Sequence, residues 1–220
     1  MMEKPAEPLN ARDRIKHAAL KLFAEKGIDG VSVREITRAA GQKNQGSLNY
    51  YFGLKDNLVR ELVVDGAKVM DIRRNQALDR LEAAGAPLTV RQVTDILVFP
   101  ATGVTAPGSV EGEDYNRFLF LLELSHRHLF MEALDGQWNS GYQRCLDHLR
   151  RLMPPMADAE KNQRFIFIGA YLGSVLAKRE HALTSPRPGI WTAEDTLNHF
   201  SQTVTAILTA PATMPDASPG

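Results

Sequence analysis

Residues 31–58, VSVREITRAAGQKNQGSLNYYFGLKDNL, decide the fold of this chain. Ser32 and Glu35 have the spacing of a capping box, in which the serine oxygen accepts a backbone N–H and the glutamate reaches back to the serine N–H. This spacing predicts a helix that begins at about Val33. Ile36 follows at helical spacing on the same apolar face, so the helix is short and amphipathic.

A second short helix is predicted after a glycine. Gly41 supplies the backbone position that ends a helix, and the polar residues 42–44 suit a tight connection. In the next segment Leu48 and Phe52 stand four residues apart and form a small apolar seam. The residues around this seam are short amides, hydroxyls and tyrosines, which suit base edges and phosphates. The arrangement is typical of a helix-turn-helix that reads DNA.

The stretch has an alanine-glycine turn, a small second helix ending in tyrosine and phenylalanine, and a lysine soon afterwards. The residues of this signature are Ala40, Gly41, Gly46, Leu48, Tyr50, Tyr51, Phe52 and Lys55. A first helix and its exit precede it, with Ile15, Ala18, Ala19, Leu22, Phe23, Lys26, Gly27 and Val31. On these residues, positions 11–62 closely resemble the TetR/AcrR family of transcriptional regulators. The chain departs from the usual pattern by one extra residue between Gly41 and Phe52 and by Leu54 in place of a capping serine.

This motif predicts a set of DNA contacts. We assign base edges to Gln45, Ser47 and Asn49, and phosphates to Tyr50, Tyr51 and Lys55. The predicted secondary phosphate contacts are Arg34, Thr37 and Lys43. The predicted DNA-binding set also includes the neighbouring residues Asn44 and Gly46. Two alternatives stay open, since Tyr51 also suits packing and Lys43 also suits simple solvation.

Composition is that of an ordinary globular protein, with 220 residues, 44% hydrophobic, 24% charged and no net charge. Residues 1–60 hold 11 Lys/Arg against 7 Asp/Glu, a balance of +4, so the remainder carries −4. This asymmetry predicts that the phosphate-facing end is N-terminal. Cys145 is the single cysteine, which excludes an internal disulfide, and no signal-peptide pattern or membrane-length apolar run is present. We expect a cytoplasmic protein.

The rest of the chain has helical periodicity without strand-like alternation, which predicts an all-α protein. Helices are expected at about 55–84, 89–99, 114–131, 137–153, 158–183 and 193–209, with a loop at 100–112. We predict an N-terminal arm and DNA-binding domain over 1–54, a helical ligand-binding and dimerisation domain over 55–210, and a disordered tail over 211–220.

A ligand site in the body of the protein is predicted from aromatic and sulfur-containing side chains at helical spacing. The predicted ligand residues are Met70, Phe99, Phe118, Leu122, His126, Phe130, Trp138, Tyr142 and Tyr171. His126 continues an apolar stripe, so it either orients a bound molecule or is a hydrogen-bonded core residue. The pattern favours a small, mostly apolar ligand.

A line of small residues at four-residue steps lets another helix approach closely, and the family resemblance implies that the last two helices pair with those of a second copy. The predicted interface residues are Phe165, Gly169, Gly173, Ala177, Phe200 and Val204. Close packing inside one subunit is the alternative interpretation.

The resemblance implies a homodimeric repressor that binds a palindromic operator in double-stranded DNA and responds to a small-molecule effector. A DNA-bound adaptor or activator without small-molecule sensing is the alternative. Enzyme signals are weak, because the Tyr51-Lys55 spacing found in some dehydrogenases lacks a glycine-rich dinucleotide turn, and no G-x-S-x-G motif exists. The side chains of His126 and His128 diverge on a helix, so we expect no metal site. We also expect no cofactor and no enzymatic activity.

Overall fold

The computed structural model describes residues 9–44, 46–104, 114–193 and 195–212. Over these residues the protein contains nine α-helices and no strand. The helices are α1 (Ala11–Lys26), α2 (Val33–Ala39), α3 (Gly46–Phe52), α4 (Lys55–Ala83), α5 (Val90–Val98), α6 (Tyr115–Leu134), α7 (Ser140–Leu152), α8 (Asp158–Leu183) and α9 (Thr196–Thr209). The all-α prediction is therefore confirmed.

Two predicted helices begin later than the sequence pattern indicated. The helix expected from 137 begins at Ser140, because Asp135 and Trp138 have positive φ angles of 40° and 55°, outside the helical region. The helix expected from 193 begins at Thr196, after a 3₁₀ turn over Gly189–Thr192. Most of the predicted loop, residues 105–113, and the tail from 213 lie outside the described residues.

The chain forms two compact units. The first comprises Met1–Val69 and Gly103–Gln137, and the second comprises Met70–Thr102 and Trp138–Gly220. These units group helices by contact, whereas the boundary predicted at residue 54 is a division by function and stays a prediction. No helix in the described part of the chain is long and apolar enough to cross a membrane.

The core of the first unit joins the N-terminal helices to α6. Phe23 and Phe118 stack with their ring centroids 6.1 Å apart, and both rings are buried. The Tyr115 hydroxyl donates a 2.7 Å hydrogen bond to the carbonyl of Val63, and its ring lies against Gly66, where a Cβ would meet the ring at 2.1 Å. Glycine is therefore the residue that lets α6 approach α4 this closely.

The second unit is built on α5, α7, α8 and α9, with the C-terminal half of α4. Leu97, Leu149 and Val204 are fully buried in it. Asp71 of α4 accepts a 2.7 Å hydrogen bond from the backbone N–H of Gly141, so a carboxylate from another helix satisfies the start of α7. Burial raises the pKa of the Cys145 thiol in this unit to about 11, which keeps the thiol neutral.

Helix α6 is interrupted at His126, whose φ of −139° and ψ of 44° are not helical. The ring Nε2 lies 3.0 Å from the Asp29 carboxylate in the connection between α1 and α2. His126 is thus a hydrogen-bonded but half-buried residue of the first unit and not a core histidine, and its role toward a ligand stays a prediction. Its partner is a carboxylate that is itself largely exposed, so the contact lies near the surface.

Candidate nucleic-acid interface

The capping box at the start of α2 is present in full. The Ser32 backbone N–H donates to the Glu35 carboxylate at 2.9 Å, and the Glu35 N–H donates back to the Ser32 hydroxyl at 3.2 Å. The Ser32 backbone bond, and then the ammonium of Lys26 at 3.0 Å, lower the pKa of Glu35 to about 2. The carboxylate is therefore charged at neutral pH and fixes where α2 begins.

The turn between α2 and α3 follows the predicted chemistry. Gly41 has a φ of +66°, a conformation that side chains with a Cβ disfavour. Asn44 then accepts a 2.8 Å hydrogen bond from the backbone N–H of Gly46 through its side-chain oxygen, which satisfies a free donor at the start of α3. Gln45, which we predicted to read a base, lies outside the described residues.

Helix α3 has one buried face and one exposed polar face. Leu48 and Phe52 are 0% and 5% exposed, so the predicted seam is confirmed and the extra residue after Gly41 leaves this register intact. Asn49 and Tyr50 are exposed, and Tyr50 reaches 83%. Tyr51 is 37% exposed and packs edge-to-face on Tyr50 with ring centroids 5.0 Å apart.

Positive charge on this surface comes from residues that flank α3, because α3 itself contains no basic residue. Arg34, Arg38 and Lys43 are exposed, and none of them has a hydrogen-bond or ion-pair partner for its side-chain cation among the described residues. Arg38 is not in the predicted contact set, although its exposure is like that of Arg34. The signal for it was present, since Arg34 and Arg38 stand four residues apart on one helix face.

Two predicted phosphate contacts have other roles in the structure. Thr37 is 2% exposed, and its hydroxyl donates to the carbonyl of Val33 at 3.0 Å within its own helix. The Lys55 ammonium donates to the carbonyls of Ile28 and Val31 at 3.0 and 3.1 Å, so it holds the connection between α1 and α2. The structure therefore assigns Thr37 to the interior and Lys55 to an internal bond.

The predicted ligand residues are divided between the two units. Phe118, Leu122, His126 and Phe130 belong to the first unit, and Met70, Phe99, Trp138, Tyr142 and Tyr171 belong to the second. Several have packing roles: the Tyr142 ring lies under the Arg74 guanidinium at 5.5 Å, and the Tyr171 hydroxyl lies 3.1 Å from that of Thr203. Phe99 lines a cavity of about 370 Å³ in the second unit. The ligand site stays a prediction.

The predicted dimer residues are mostly interior. Four of them are buried within the second unit: Phe165, Ala177, Phe200 and Val204. Gly169 and Gly173 are half-buried. The side chains that α8 presents outward are one or two positions further on, where Ile166 and Phe167 are 70% and 60% exposed. The interface on α8 stays a prediction, and four of its six predicted residues are used for packing within the second unit.

Among the described residues, no group of three or more His, Cys, Asp or Glu side chains is placed to hold a metal ion. The geometry of these residues is that of a helix-turn-helix domain: α2 leads into a sharp turn, and α3 is held by a buried seam with its polar face outward.

Comparison with known proteins places this domain in a family. The model described as bacterial regulatory proteins, tetR family, matches residues 15–62. The transcriptional repressor KstR2 of Mycolicibacterium smegmatis is 32% identical over 77 residues, which cover 35% of this chain and 37% of that protein. The repressor AcnR of Corynebacterium glutamicum is 38% identical over 64 residues, which cover 29% and 34%. The N-terminal domain belongs to the TetR family.

The similarity to these relatives spans about a third of their length. A solved bacterial regulatory protein in the tetR family from Rhodococcus RHA1 is similar over 92% of this chain and 98% of its own, with a TM-score of 0.57 and 14% sequence identity. This likeness extends the shared fold to the helices beyond the matched domain.

Proposed function

We propose that this protein is a transcriptional repressor that binds double-stranded operator DNA through the exposed face of α3 and the flanking cations of α2 and the turn. The observation that carries the proposal is that α3 has two different faces: Leu48 and Phe52 are buried, whereas Asn49 and Tyr50 are exposed to solvent. A polar helix face beside unpaired arginine and lysine side chains suits base reading and phosphate binding together. Repression is proposed because the named relatives KstR2 and AcnR are repressors.

Within this surface we propose two kinds of contact. Asn49 and Ser47 read base edges, and Tyr50 and Tyr51 contact the backbone near them. Arg34, Arg38 and Lys43, whose side chains have no partner among the described residues, neutralise the phosphate charge. Thr37 and Lys55 are left out of the proposed contacts, because their polar groups are already bonded inside the protein.

The structure also argues against a dehydrogenase-like use of Tyr51 and Lys55. In such a site the lysine would lie beside the reacting tyrosine and cofactor, whereas here its ammonium is bonded to two backbone carbonyls. We therefore propose a binding protein that has no enzymatic activity.

We propose that the functional form is a homodimer joined through the outward face of α8. Ile166 and Phe167 are large apolar side chains left exposed on neighbouring positions of one helix, and half-buried Gly169 and Gly173 lie close by along it. Exposed apolar patches of this kind mark association surfaces. A symmetric dimer presents two copies of α3 to two half-sites, so the operator is a near-palindrome with half-sites about one helical turn apart.

The dimer is tested by sedimentation of Ile166→Ser, with Ile190→Ser as a matched control. Both isoleucines are about equally exposed, at 70% and 72%, so both substitutions cost the folded protomer little. We expect Ile166→Ser to shift the protein toward the monomer and Ile190→Ser to leave the dimer intact. An unchanged dimer for both variants contradicts the α8 interface.

DNA binding is tested by fluorescence anisotropy at physiological salt, using duplex DNA from upstream of the protein's own gene and a scrambled duplex of equal length. We expect preference for the upstream duplex, and we expect Asn49→Ala to reduce that preference more than it reduces binding to scrambled DNA. Equal binding to both duplexes by the unmodified protein contradicts an operator at its own gene. Equal loss on both duplexes for Asn49→Ala contradicts its base-reading role.

We further propose that a small, mostly apolar ligand releases the protein from DNA. A ligand acts only through its preference between the DNA-binding state and another state. The release is measured as a loss of anisotropy when ligand is added to the preformed complex. No loss for any apolar compound that binds the protein would favour an adaptor or activator without ligand sensing.

A further inference from the structure

The second unit contains a groove between the C-terminal half of α4 and α5. Its cavity of about 370 Å³ adjoins another of about 310 Å³, and both are lined by Ala77, Arg80, Asp95 and Ile96. Each volume lies at the lower end of the range for small-molecule sites, roughly 300–1,000 Å³. The two cavities have these four lining residues in common, and we treat them together as the groove.

The surface inside the groove is mainly apolar. Ile96 lies at its base and is 6% exposed, and the Phe99 ring at one end is 37% exposed. Ala77 faces the groove from α4 and is half-buried. A large aromatic ring left partly open beside small aliphatic side chains offers contact area to an apolar body.

The charged side chains at the groove differ in whether they are already bonded. Asp95 accepts from Arg91 Nε at 2.8 Å and from the Ser201 hydroxyl at 2.5 Å. Arg73 donates to the carbonyls of Pro100 and Thr102 at 3.3 and 2.9 Å. Arg80 lines both cavities, and among the described residues its guanidinium has no hydrogen-bond or ion-pair partner. Of the described side chains that line the groove, Arg80 is thus an uncommitted cation beside an apolar surface.

From this juxtaposition we infer that the groove binds a small amphipathic carboxylate, with the carboxylate on Arg80 and the apolar body on Ile96 and Phe99. A guanidinium presents a planar fork of N–H donors that matches both oxygens of a carboxylate. A neutral apolar molecule would gain no hydrogen bond from that fork, and a cationic one would be repelled by it. The inference specifies the ligand class of the proposed effector, and so its regulatory part depends on the proposed function.

The test uses 4-phenylbutyrate and decanoate as probes, with decylamine as the charge-reversed control, in isothermal titration calorimetry of the full chain without DNA. We expect both carboxylates to bind and decylamine not to bind. Arg80→Gln is expected to weaken carboxylate binding by roughly tenfold or more, since a hydrogen bond to a charged group is lost. Arg187→Gln is the matched control, because Arg187 is an exposed arginine elsewhere in the same unit.

A second variant tests the apolar part of the groove. Ala77→Leu adds volume to the groove wall while keeping a good helix former in α4, so the fold is retained and the space is filled. We expect it to weaken decanoate binding without changing the unfolding midpoint appreciably. Decanoate binding that is unaffected by both Arg80→Gln and Ala77→Leu, or tight binding of decylamine, would overturn the inference.

DNA binding is then measured on the same samples, which separates the two proposals. If carboxylates bind through Arg80 but leave the protein on its operator, the groove assignment holds and the proposed ligand release fails. If operator binding is as proposed but no carboxylate binds, the groove assignment is overturned and the repressor proposal stands.

Discussion

Lys43 and Lys55 provide the sharpest prediction, because the two lysines lie at either end of the same motif and have opposite surroundings. Lys43 is exposed without a partner for its ammonium among the described residues, whereas the Lys55 ammonium is bonded to the carbonyls of Ile28 and Val31. We consider Lys43→Met and Lys55→Met, which remove the same charge and keep a flexible chain. The first is expected to change DNA binding and the second to change stability.

The size of each effect follows from the contacts. Each phosphate neutralised on duplex DNA contributes about −0.9 to the slope of log binding constant against log salt concentration. A symmetric dimer loses two such contacts when Lys43 is replaced, so the slope becomes shallower by roughly 1.8. Lys55→Met removes the ammonium from the carbonyl of Val31 and from that of Ile28, which keeps the backbone N–H of Val31 at 3.3 Å; this costs about 1–3 kcal/mol of unfolding free energy.

Both quantities are measurable on the same preparations. Anisotropy titrations between low and moderate salt give the slope, and urea unfolding gives the free energy. We expect Lys43→Met to have a shallower slope and an unchanged unfolding midpoint. We expect folded Lys55→Met to keep the slope of the unmodified protein. A shallower slope with unchanged stability for Lys55→Met would refute its internal role, and an unchanged slope for Lys43→Met would refute its phosphate contact.

Three further predictions concern other features of the structure. Gly66→Ala is expected to destabilise the protein by about 1–3 kcal/mol in urea unfolding, because the new Cβ would meet the Tyr115 ring at 2.1 Å. Gly169→Ala is the control, since its new Cβ would have its nearest neighbour at 3.9 Å, and it is expected to be neutral or stabilising. Glu35 has a lowered pKa of about 2 in the folded protein. Its stabilising contribution is therefore present above the pKa of the unfolded chain and is lost as pH falls through the pKa of the folded protein. Glu35→Gln should flatten the fall in stability between about pH 4.5 and 2. Thr37→Val is expected to leave operator affinity unchanged in anisotropy measurements, since the hydroxyl bonds inside its own helix, and a loss of affinity would restore its predicted DNA contact.

Local features of the fold were predictable from the sequence because their causes lie within a few residues. The capping box at Ser32, the left-handed Gly41 and the four-residue spacing of Leu48 and Phe52 each depend on neighbours along the chain. Helix α8 was predicted with its observed ends, since Pro154-Pro155 precede it and a turn-rich segment follows it. The presence of the helices and the register of α3 could be predicted for this reason.

Side-chain roles were less predictable where the partner is distant in sequence. The partners of Lys55 are 24 and 27 residues away, and the partner of His126 is 97 residues away. Periodicity places such a residue on a helix face but carries no information about which carbonyl or carboxylate lies opposite. The same reason explains Phe165, which lies next to the exposed apolar positions of α8 yet packs inside the protomer.

Which cations are free depends both on the local sequence and on partners that are distant in sequence. The sequence assigns a balance of +4 to residues 1–60, but a count does not say which cations are available to a polyanion. Several are used internally: Lys16 pairs with Asp65 at 2.7 Å and Glu61 at 3.0 Å, and Lys26 pairs with Glu35. Among the described residues, the cations that remain unpaired beside α3 are Arg34, Arg38 and Lys43. Internal pairing thus leaves exposed, unpaired positive charge on α2 and its turn, as well as on Lys21 of α1, and we propose that the charge beside α3 meets the DNA phosphates.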